Sequence, residues 1–407
     1  MNQPIEEDGS VEVGNHDSHE VMQRLDALLP ALRERAQETE DLRRIPPDES
    51  IKALQETGFF RLLQPKQWGG YEADPVLFYS AVKKIASACG STGWVSSIIG
   101  VHNWHLASSL SRRRKTCGGN DTDVRISSSY APPMGMGEVV EGGYKVNGAW
   151  AWSSGCDHAS WAVLGGPVFK DGRAVDFVSY LIPREDYQID DVWNVVGLRG
   201  TGSNTVVVKD VFVPKHRVLS FRAMSELTAP PGLEKNTAPV YKMPWGGTIH
   251  PTTISAPIVG MAYGAYEAHV EHQGKRVRAA FAGEKSKDDP FAKVRIAEAS
   301  SDIDAAWRQL SGNVADEYAL ILAGEEVPME LRLRARRDQV RATGRAIASI
   351  DKLFENSGAT ALQNGTPIQR FWRDAHAGRV HAANDPERAY VMFGTGEFGL
   401  PITDTMV

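Results

Sequence analysis

The spacing of apolar positions changes twice along the chain. Leu25, Leu28, Leu29 and Leu32 recur at helical intervals between Glu20 and Glu40. Pro46-Pro47 interrupts that helix, and a short one follows through Ile51 and Leu54 to Gly58. Asp74-Pro75 opens another helix, carrying Phe78, Val82 and Ile85, and a further helix is predicted from Ser91 to Ser109. Between Arg125 and Val218 the period shortens. Tyr144-Lys-Val-Asn, Ala162-Val-Leu, Phe177-Val-Ser-Tyr-Leu-Ile, Thr205-Val-Val-Val and Val211-Phe-Val are short β-branched or alternating runs, punctuated by Glu141-Gly-Gly, Lys170-Asp-Gly, Pro183 and Pro214. This predicts a small antiparallel β-domain. After Pro251 the helical period returns, over 252–283, 288–323 and 327–357, with a shorter helix running to His381.

The expected organisation is mainly α with a central antiparallel β-domain. It comprises a disordered tail (1–17), an N-terminal helical domain (18–123), a middle β-domain (124–220), a connector (221–251) with Met243 and Trp245 as apolar wall, and a C-terminal helical bundle (252–407).

Composition narrows the function classes. A chain of 407 residues with 42% hydrophobic and 24% charged residues is ordinary for a globular protein. The net charge is −6, and the one basic cluster, Arg112-Arg113-Arg114-Lys115, is short, so nucleic acid is not an expected partner. No apolar run approaches the roughly 18–20 residues of a membrane span. The acidic N-terminus (Glu6, Glu7, Asp8) does not resemble a signal peptide. Three cysteines, Cys89, Cys117 and Cys156, without paired spacing fit a reduced cytoplasm rather than disulfides or structural zinc. Gly197-Leu-Arg-Gly-Thr-Gly lies in the β-rich region without a following helix, so it is not a dinucleotide fingerprint.

Candidate chemistry concentrates near the C-terminus. Phe371-Trp-Arg-Asp-Ala-His-Ala-Gly-Arg-Val-His381 sets His376 and His381 on the predicted last long helix. An imidazole there can exchange a proton near neutral pH, although a lone histidine is more often simply satisfied by its neighbours. His102 and His105, three residues apart, share a helix face, with no third ligand evident for a metal.

The layout and six ordered motifs resemble the acyl-CoA dehydrogenase fold over residues 20–407, and within it the flavin-dependent two-component aromatic hydroxylases. The motifs are Gly90-Ser-Thr-Gly-Trp94, Val101-His-Asn-Trp-His105, Ile126-Ser-Ser-Ser-Tyr-Ala-Pro132, Trp152-Ser-Ser-Gly155, Gly197-Leu-Arg-Gly-Thr-Gly-Ser203 and Arg373-Asp374 to His381. Only the block 111–120 departs from the pattern. In the dehydrogenases the final helix carries a glutamate base; aligning Arg373-Asp374-Ala375 places Ala382 at that glutamate and His381 beside it.

The resemblance implies ortho-hydroxylation of a phenol to a catechol, with a secosteroid phenol of steroid-ring degradation as substrate. Reduced FMN or FAD, made by a separate NAD(P)H-dependent reductase, reacts with O2 through a C4a-hydroperoxyflavin. The alternative is a thioester desaturase. By the same resemblance, His381 is the base for the phenol, and His102 lies near the phenol oxygen. Ser154 accepts from flavin N5. Trp94, Ser128, Ser129, Tyr130, Trp152, Ser153 and Ala382 line the flavin. Arg276 or Arg278, with Ala359 and Thr360, reaches the cofactor of a neighbouring subunit in a homotetramer.

Overall fold

The computed structural model describes residues 15–109, 122–131, 134–221, 224, 230, 232–278, 283–404 and 406–407. The expected tail up to residue 14, the anomalous 111–120 block and Cys117 lie outside the described residues. Residues 15–17, assigned above to the tail, instead open the first helix.

Five helices form the N-terminal layer: α1 (Asn15–Glu34), α2 (Ala36–Asp41), α3 (Lys52–Thr57), α4 (Pro75–Ala88) and α5 (Gly90–Ala107). Asp74 fixes the start of α4 by accepting from the Val76 N–H at 2.7 Å, with Pro75 as its first residue. Helix α5 is buried on nearly every face, as its small and apolar sequence requires. It is tied to its surroundings by Ser97 Oγ donating to Thr253 O (2.7 Å), Asn103 Nδ2 to Phe60 O (2.8 Å) and Trp104 Nε1 to Val240 O (2.7 Å).

The β-domain contains β1 (Ile126–Ser129), β2 (Gly135–Val140), β3 (Gly143–Ser153), β4 (Trp161–Lys170), β5 (Arg173–Pro183), β6 (Gln188–Asp190), β7 (Asn204–Pro214) and β8 (Val218–Ser220). The order is β6-β7-β3-β2-β4-β5-β8, with β1 beside β4. The sheet is mixed rather than antiparallel: β1 runs parallel to β4, and β2 meets β4 in parallel over two residue pairs. Alternation along a strand reports which face is buried, not the direction of its neighbour, so this difference lay outside the pattern. Its own core centres on Trp150, whose Nε1 donates to Gly165 O at 2.7 Å.

Helices α6 (His250–Lys275), α7 (Pro290–Leu322), α8 (Met329–Ser357), α9 (Pro367–Arg379) and α10 (Pro386–Glu397) complete the chain. Helix α6 stops at Lys275 rather than 283, because Arg276 turns extended into a ribbon of β9 (Val277–Arg278) and β10 (Glu284–Lys285). Helix α9 stops at Arg379, before His381. The N-terminal helices share one continuous core with the C-terminal ones.

One buried carboxylate joins the three regions. Asp374 of α9 accepts from the Leu198 N–H at 2.6 Å, and its Oδ2 faces the start of α5 so closely that a Cβ on Gly90 would lie 2.8 Å away. A Cβ on Gly197 would meet Arg373 O at 2.1 Å, so this loop reaches α9 only as glycine. Burial raises the Asp374 carboxyl to about 6, partly opposed by the Leu198 N–H. Because the folded-state pKa is raised, proton binding favours the native state. That contribution is complete below the ordinary 3.8 and is lost as pH rises through about 6. Asp374→Ala is expected to destabilise the fold by about 1.5–3 kcal/mol in denaturant unfolding. Asp374→Asn should keep the junction while flattening the pH dependence of stability across that window.

Candidate active site

The end of β3 departs from regular strand. Trp152 sits at φ +64° with 57% of its surface exposed, and the β3–β7 register shifts between Trp150 and Ser153. A left-handed backbone is rare for a bulky residue, and here it throws the indole outward. Ser153 turns inward and is fully buried, its hydroxyl without a hydrogen-bond partner among the described residues. Ser154, 7% exposed, accepts from Trp94 Nε1 at 3.2 Å and lies 2.8 Å from Ser203 Oγ. Ser203 Oγ is in turn 2.6 Å from Thr201 Oγ1, which donates to Leu198 O at 2.8 Å.

The end of β1 closes on the same place. Ser129 Oγ donates to Ala151 O at 2.7 Å, so Ser128 and Ser129 lie beside the Trp152 bulge. Tyr130 follows, its hydroxyl 3.4 Å from His102 Nδ1 and 3.2 Å from His105 Nδ1. His105 Nε2 approaches Ser179 Oγ at 3.4 Å, and its ring crosses Trp245 at 5.2 Å. The fold makes His105, which shares a helix face with His102, part of the Tyr130 cluster. Trp245 stacks between Trp104 (5.3 Å) and His250 (5.4 Å), while Met243 is wholly buried.

His381 reaches this cluster from the C-terminal bundle. Its ring centroid is 6.0 Å from Trp94 and 6.1 Å from His250. It is not helical: it caps the short turn Ala382–Asn384, and its Nδ1 accepts from the Ala383 N–H at 3.1 Å. Burial, followed by the charge of Arg336, lowers its imidazole to about 4. At neutral pH the ring is therefore neutral, and with Nδ1 accepting, the proton resides on Nε2. The Nδ1 lone pair is thus occupied, and the nitrogen left to meet a ligand is a hydrogen-bond donor. Ala382 is exposed and brings no carboxylate. His376 points elsewhere, its Nε2 3.2 Å from Asp351 and its ring against Trp372.

A buried polar network fixes the His381 turn. Asn384 Nδ2 donates to Gly378 O at 2.9 Å, and the Asn384 N–H donates to His381 O at 2.8 Å. Asn384 Oδ1 accepts from Gln339 Nε2 (2.8 Å) and Ser255 Oγ (3.2 Å). Gln339 Oε1 takes a hydrogen bond from the buried Arg336.

Comparison with known proteins gives the family of the chain. Family models for the acyl-CoA dehydrogenase N-terminal and C-terminal domains match residues 26–112 and 252–386. The flavin-dependent monooxygenase oxygenase subunit HsaA of Rhodococcus jostii (strain RHA1) is 89% identical over 95% of this chain and 100% of its own length. The HsaA of Mycobacterium tuberculosis (strain H37Rv) is 73% identical over 97% of this chain and 99% of its own. A crystal structure of 3-HSA hydroxylase from Rhodococcus sp. RHA1 superposes with a TM-score of 0.92, at 88% identity, covering 96% of this chain and 100% of that one.

The chain belongs to the oxygenase subunits of flavin-dependent monooxygenases.

An oxygenase subunit of this family works with reduced flavin and O2, and a separate component supplies the reduced flavin. The residues present fit a flavin: an outward indole, a hydrogen-bonded ladder of buried hydroxyls, and the buried hydroxyls of Ser127 and Ser153 without partners among the described residues. No group of three or more His, Cys, Asp or Glu among the described residues could hold a metal ion.

Arg276, Arg278, Ala359 and Thr360 do not join this site within the oxygenase chain. Arg276 Nη1 donates to Asn356 O at 2.7 Å and its guanidinium lies against Gly358, while Thr360 Oγ1 is 3.4 Å from His272 Nε2, so both gather at the C-terminal end of α6. Arg278 is held by Asp289 at 2.8 Å. The exposed positions of Ala359 and Thr360 face away from the chain's own core. Sequence reading missed His250, Ser203, Thr201 and Asn384. Ser203 was inside a quoted motif, but its role depends on a turn that no periodicity encodes. Asn384→Ala is expected to destabilise the fold by about 1–3 kcal/mol in thermal or denaturant unfolding, because it strands the Gln339 amide and the Gly378 carbonyl.

Proposed function

We propose that this chain hydroxylates a bulky phenol ortho to its hydroxyl, giving a catechol, with the secosteroid phenol 3-HSA as substrate. The observation that carries this reading is His381. A neutral imidazole with its donor nitrogen free stands beside Trp94 and His250, where a dehydrogenase would need a carboxylate. Such a site stabilises phenolate and cannot remove an α-proton from a thioester.

Bound reduced flavin supplies the activation of O2. The side chains then divide the remaining work. Trp152 and Trp94 offer flat apolar surface that excludes water. Ser154, with the backbone around Ser128, Ser129 and Ser153, meets the polar edge of the flavin. Nε2–H of His381 donates to the phenol oxygen, which favours the ionised, electron-rich ring. His250, lowered to about 3 by burial and by the neighbouring His381, stays neutral. His102, held through Tyr130, flanks the same oxygen. Trp245 and Phe221 give the phenol's bulky remainder an apolar wall, Phe221 packing on Tyr130 at 5.2 Å.

A homotetramer completes the site. Helix α6 places His250 and Arg276 at opposite ends of 26 residues. At 1.5 Å per residue that is about 39 Å, too far for one flavin to touch both within a chain. Arg276, Ala359 and Thr360 are therefore assigned to the flavin of a neighbouring copy, with Arg276 on its phosphate and Arg278 retained by Asp289. Cytoplasmic residence is consistent with Cys89 and Cys156, which are both buried free thiols.

The direct test supplies purified protein with chemically reduced FMN or FAD, O2 and 3-HSA, without reductase, and follows catechol. Catechol formation is expected, with no electron transfer from acyl-CoA thioesters to an artificial acceptor; thioester oxidation without catechol would reverse the reading. His381→Ala is expected to lower catechol formation about 100-fold, while flavin oxidation continues and hydrogen peroxide accumulates. Unchanged catechol yield would remove His381 from the mechanism.

A further inference from the structure

The hydroxyl ladder beneath Ser154 has only one consistent arrangement of protons. Leu198 O is a carbonyl and cannot donate, so the 2.8 Å contact with Thr201 Oγ1 requires the threonine proton. That proton is then spent, and the 2.6 Å contact between Thr201 and Ser203 must be closed by the Ser203 proton. The 2.8 Å contact between Ser203 and Ser154 must in turn be closed by the Ser154 proton. Three hydroxyl protons fill three contacts, all pointing toward Leu198. Trp94 Nε1–H occupies one lone pair of Ser154 Oγ, and indole nitrogen cannot reverse its role. What remains on Ser154 is a single lone pair. At its outer end the ladder can only accept.

The direction is enforced from outside the ladder. Leu198 takes an αL conformation at φ 54°, and its N–H is held by Asp374. Its carbonyl also accepts from Trp193 Nε1 at 2.9 Å, which fixes the orientation of the peptide. The ladder hydroxyls are almost completely buried: Thr201 is 1% exposed, Ser203 4% and Ser154 7%, so bulk water does not compete to reset them.

We propose that Thr201 and Ser203 are positioning residues that make the site selective for the reduced state of flavin. A reduced flavin carries a proton on N5 and donates to the one lone pair Ser154 retains. An oxidised flavin presents a lone pair at N5, which faces another lone pair and leaves both unsatisfied. The polarity of the ladder thus discriminates between two ligands of nearly identical shape. For a component that receives flavin by diffusion, this favours the form that can react and expels the form that cannot. The inference rests on Ser154 being the residue that meets flavin N5.

The test measures dissociation constants of oxidised FMN, by fluorescence quenching, and of dithionite-reduced FMN, by anaerobic titration. Wild type should bind reduced FMN roughly 10- to 100-fold more tightly than oxidised FMN. Thr201→Val removes the final acceptor hydroxyl while keeping its branched shape. Ser203 is then free to donate to Ser154, and Ser154 to turn its proton outward. Oxidised FMN should bind about tenfold more tightly in that variant, with reduced FMN little changed. Ser203→Ala should shift the ratio in the same direction, and Thr201→Ser should restore it. A ratio unchanged in Thr201→Val and Ser203→Ala, but altered in Ser154→Ala, would overturn the ladder's role while leaving Ser154 in place. A ratio unmoved by Ser154→Ala as well would remove the flavin contact on which the inference stands.

Discussion

The hydrogen bond from the Leu198 N–H to Asp374 is the constraint on which the rest of the site depends. It joins α9 of the C-terminal bundle to the loop that closes the β-domain, next to the first residue of α5. Both faces of the Leu198 peptide matter. Its N–H is fixed by the bundle, and its carbonyl anchors Thr201, Ser203 and, through them, Ser154. Trp94 reaches Ser154 from α5. One carboxylate therefore sets the relative position of an indole, a hydroxyl ladder and an imidazole that come from three different regions. The burial that makes this interaction strong also raises the acid's own pKa, a cost met by the local backbone N–H.

The second determinant is the state of His381. A short turn, rather than a helix, lets the Ala383 N–H engage Nδ1 and leaves Nε2 as a donor. Asn384, Gln339, Ser255 and Arg336 hold that turn through a buried hydrogen-bond network. A dehydrogenase on this fold uses a carboxylate to take a proton from carbon. In the function we propose, a donor imidazole at the neighbouring position instead favours negative charge on an oxygen of the substrate. On that proposal the same scaffold serves oxygen insertion, because the charge it stabilises has moved from the enzyme to the ring.

Much of this was legible in the sequence. Periodicity located α4, α5, α7 and α8 within a few residues, and ordered motifs pointed to Trp94, Tyr130, Ser154 and His381 as parts of one site. What it missed has physical reasons. A helix reading carried through Arg379-Val380-His381 because helix ends are decided by capping bonds, and the cap here is the histidine itself. The parallel pairing of β1 with β4 depends on where the chain returns from α5, which a period of two does not record. Ser153 and Ser154 look equivalent as text, but a bulge after Trp150 buries one and exposes the other to the site. His250 follows a π-helical turn, Trp245–Ile249, held by Thr248 Oγ1 donating to the buried Glu317 at 2.5 Å, and no pattern of apolar residues announces such a turn.

The most direct measurement of the central claim uses isotopically labelled dioxygen. Protein, reduced flavin and phenol are mixed anaerobically, labelled O2 is admitted, and the product is analysed by mass spectrometry. The account predicts a catechol whose new ortho hydroxyl carries one labelled oxygen atom. A catechol with oxygen drawn from water, or flavin oxidation that yields peroxide alone with wild-type protein and a fitting phenol, would contradict it.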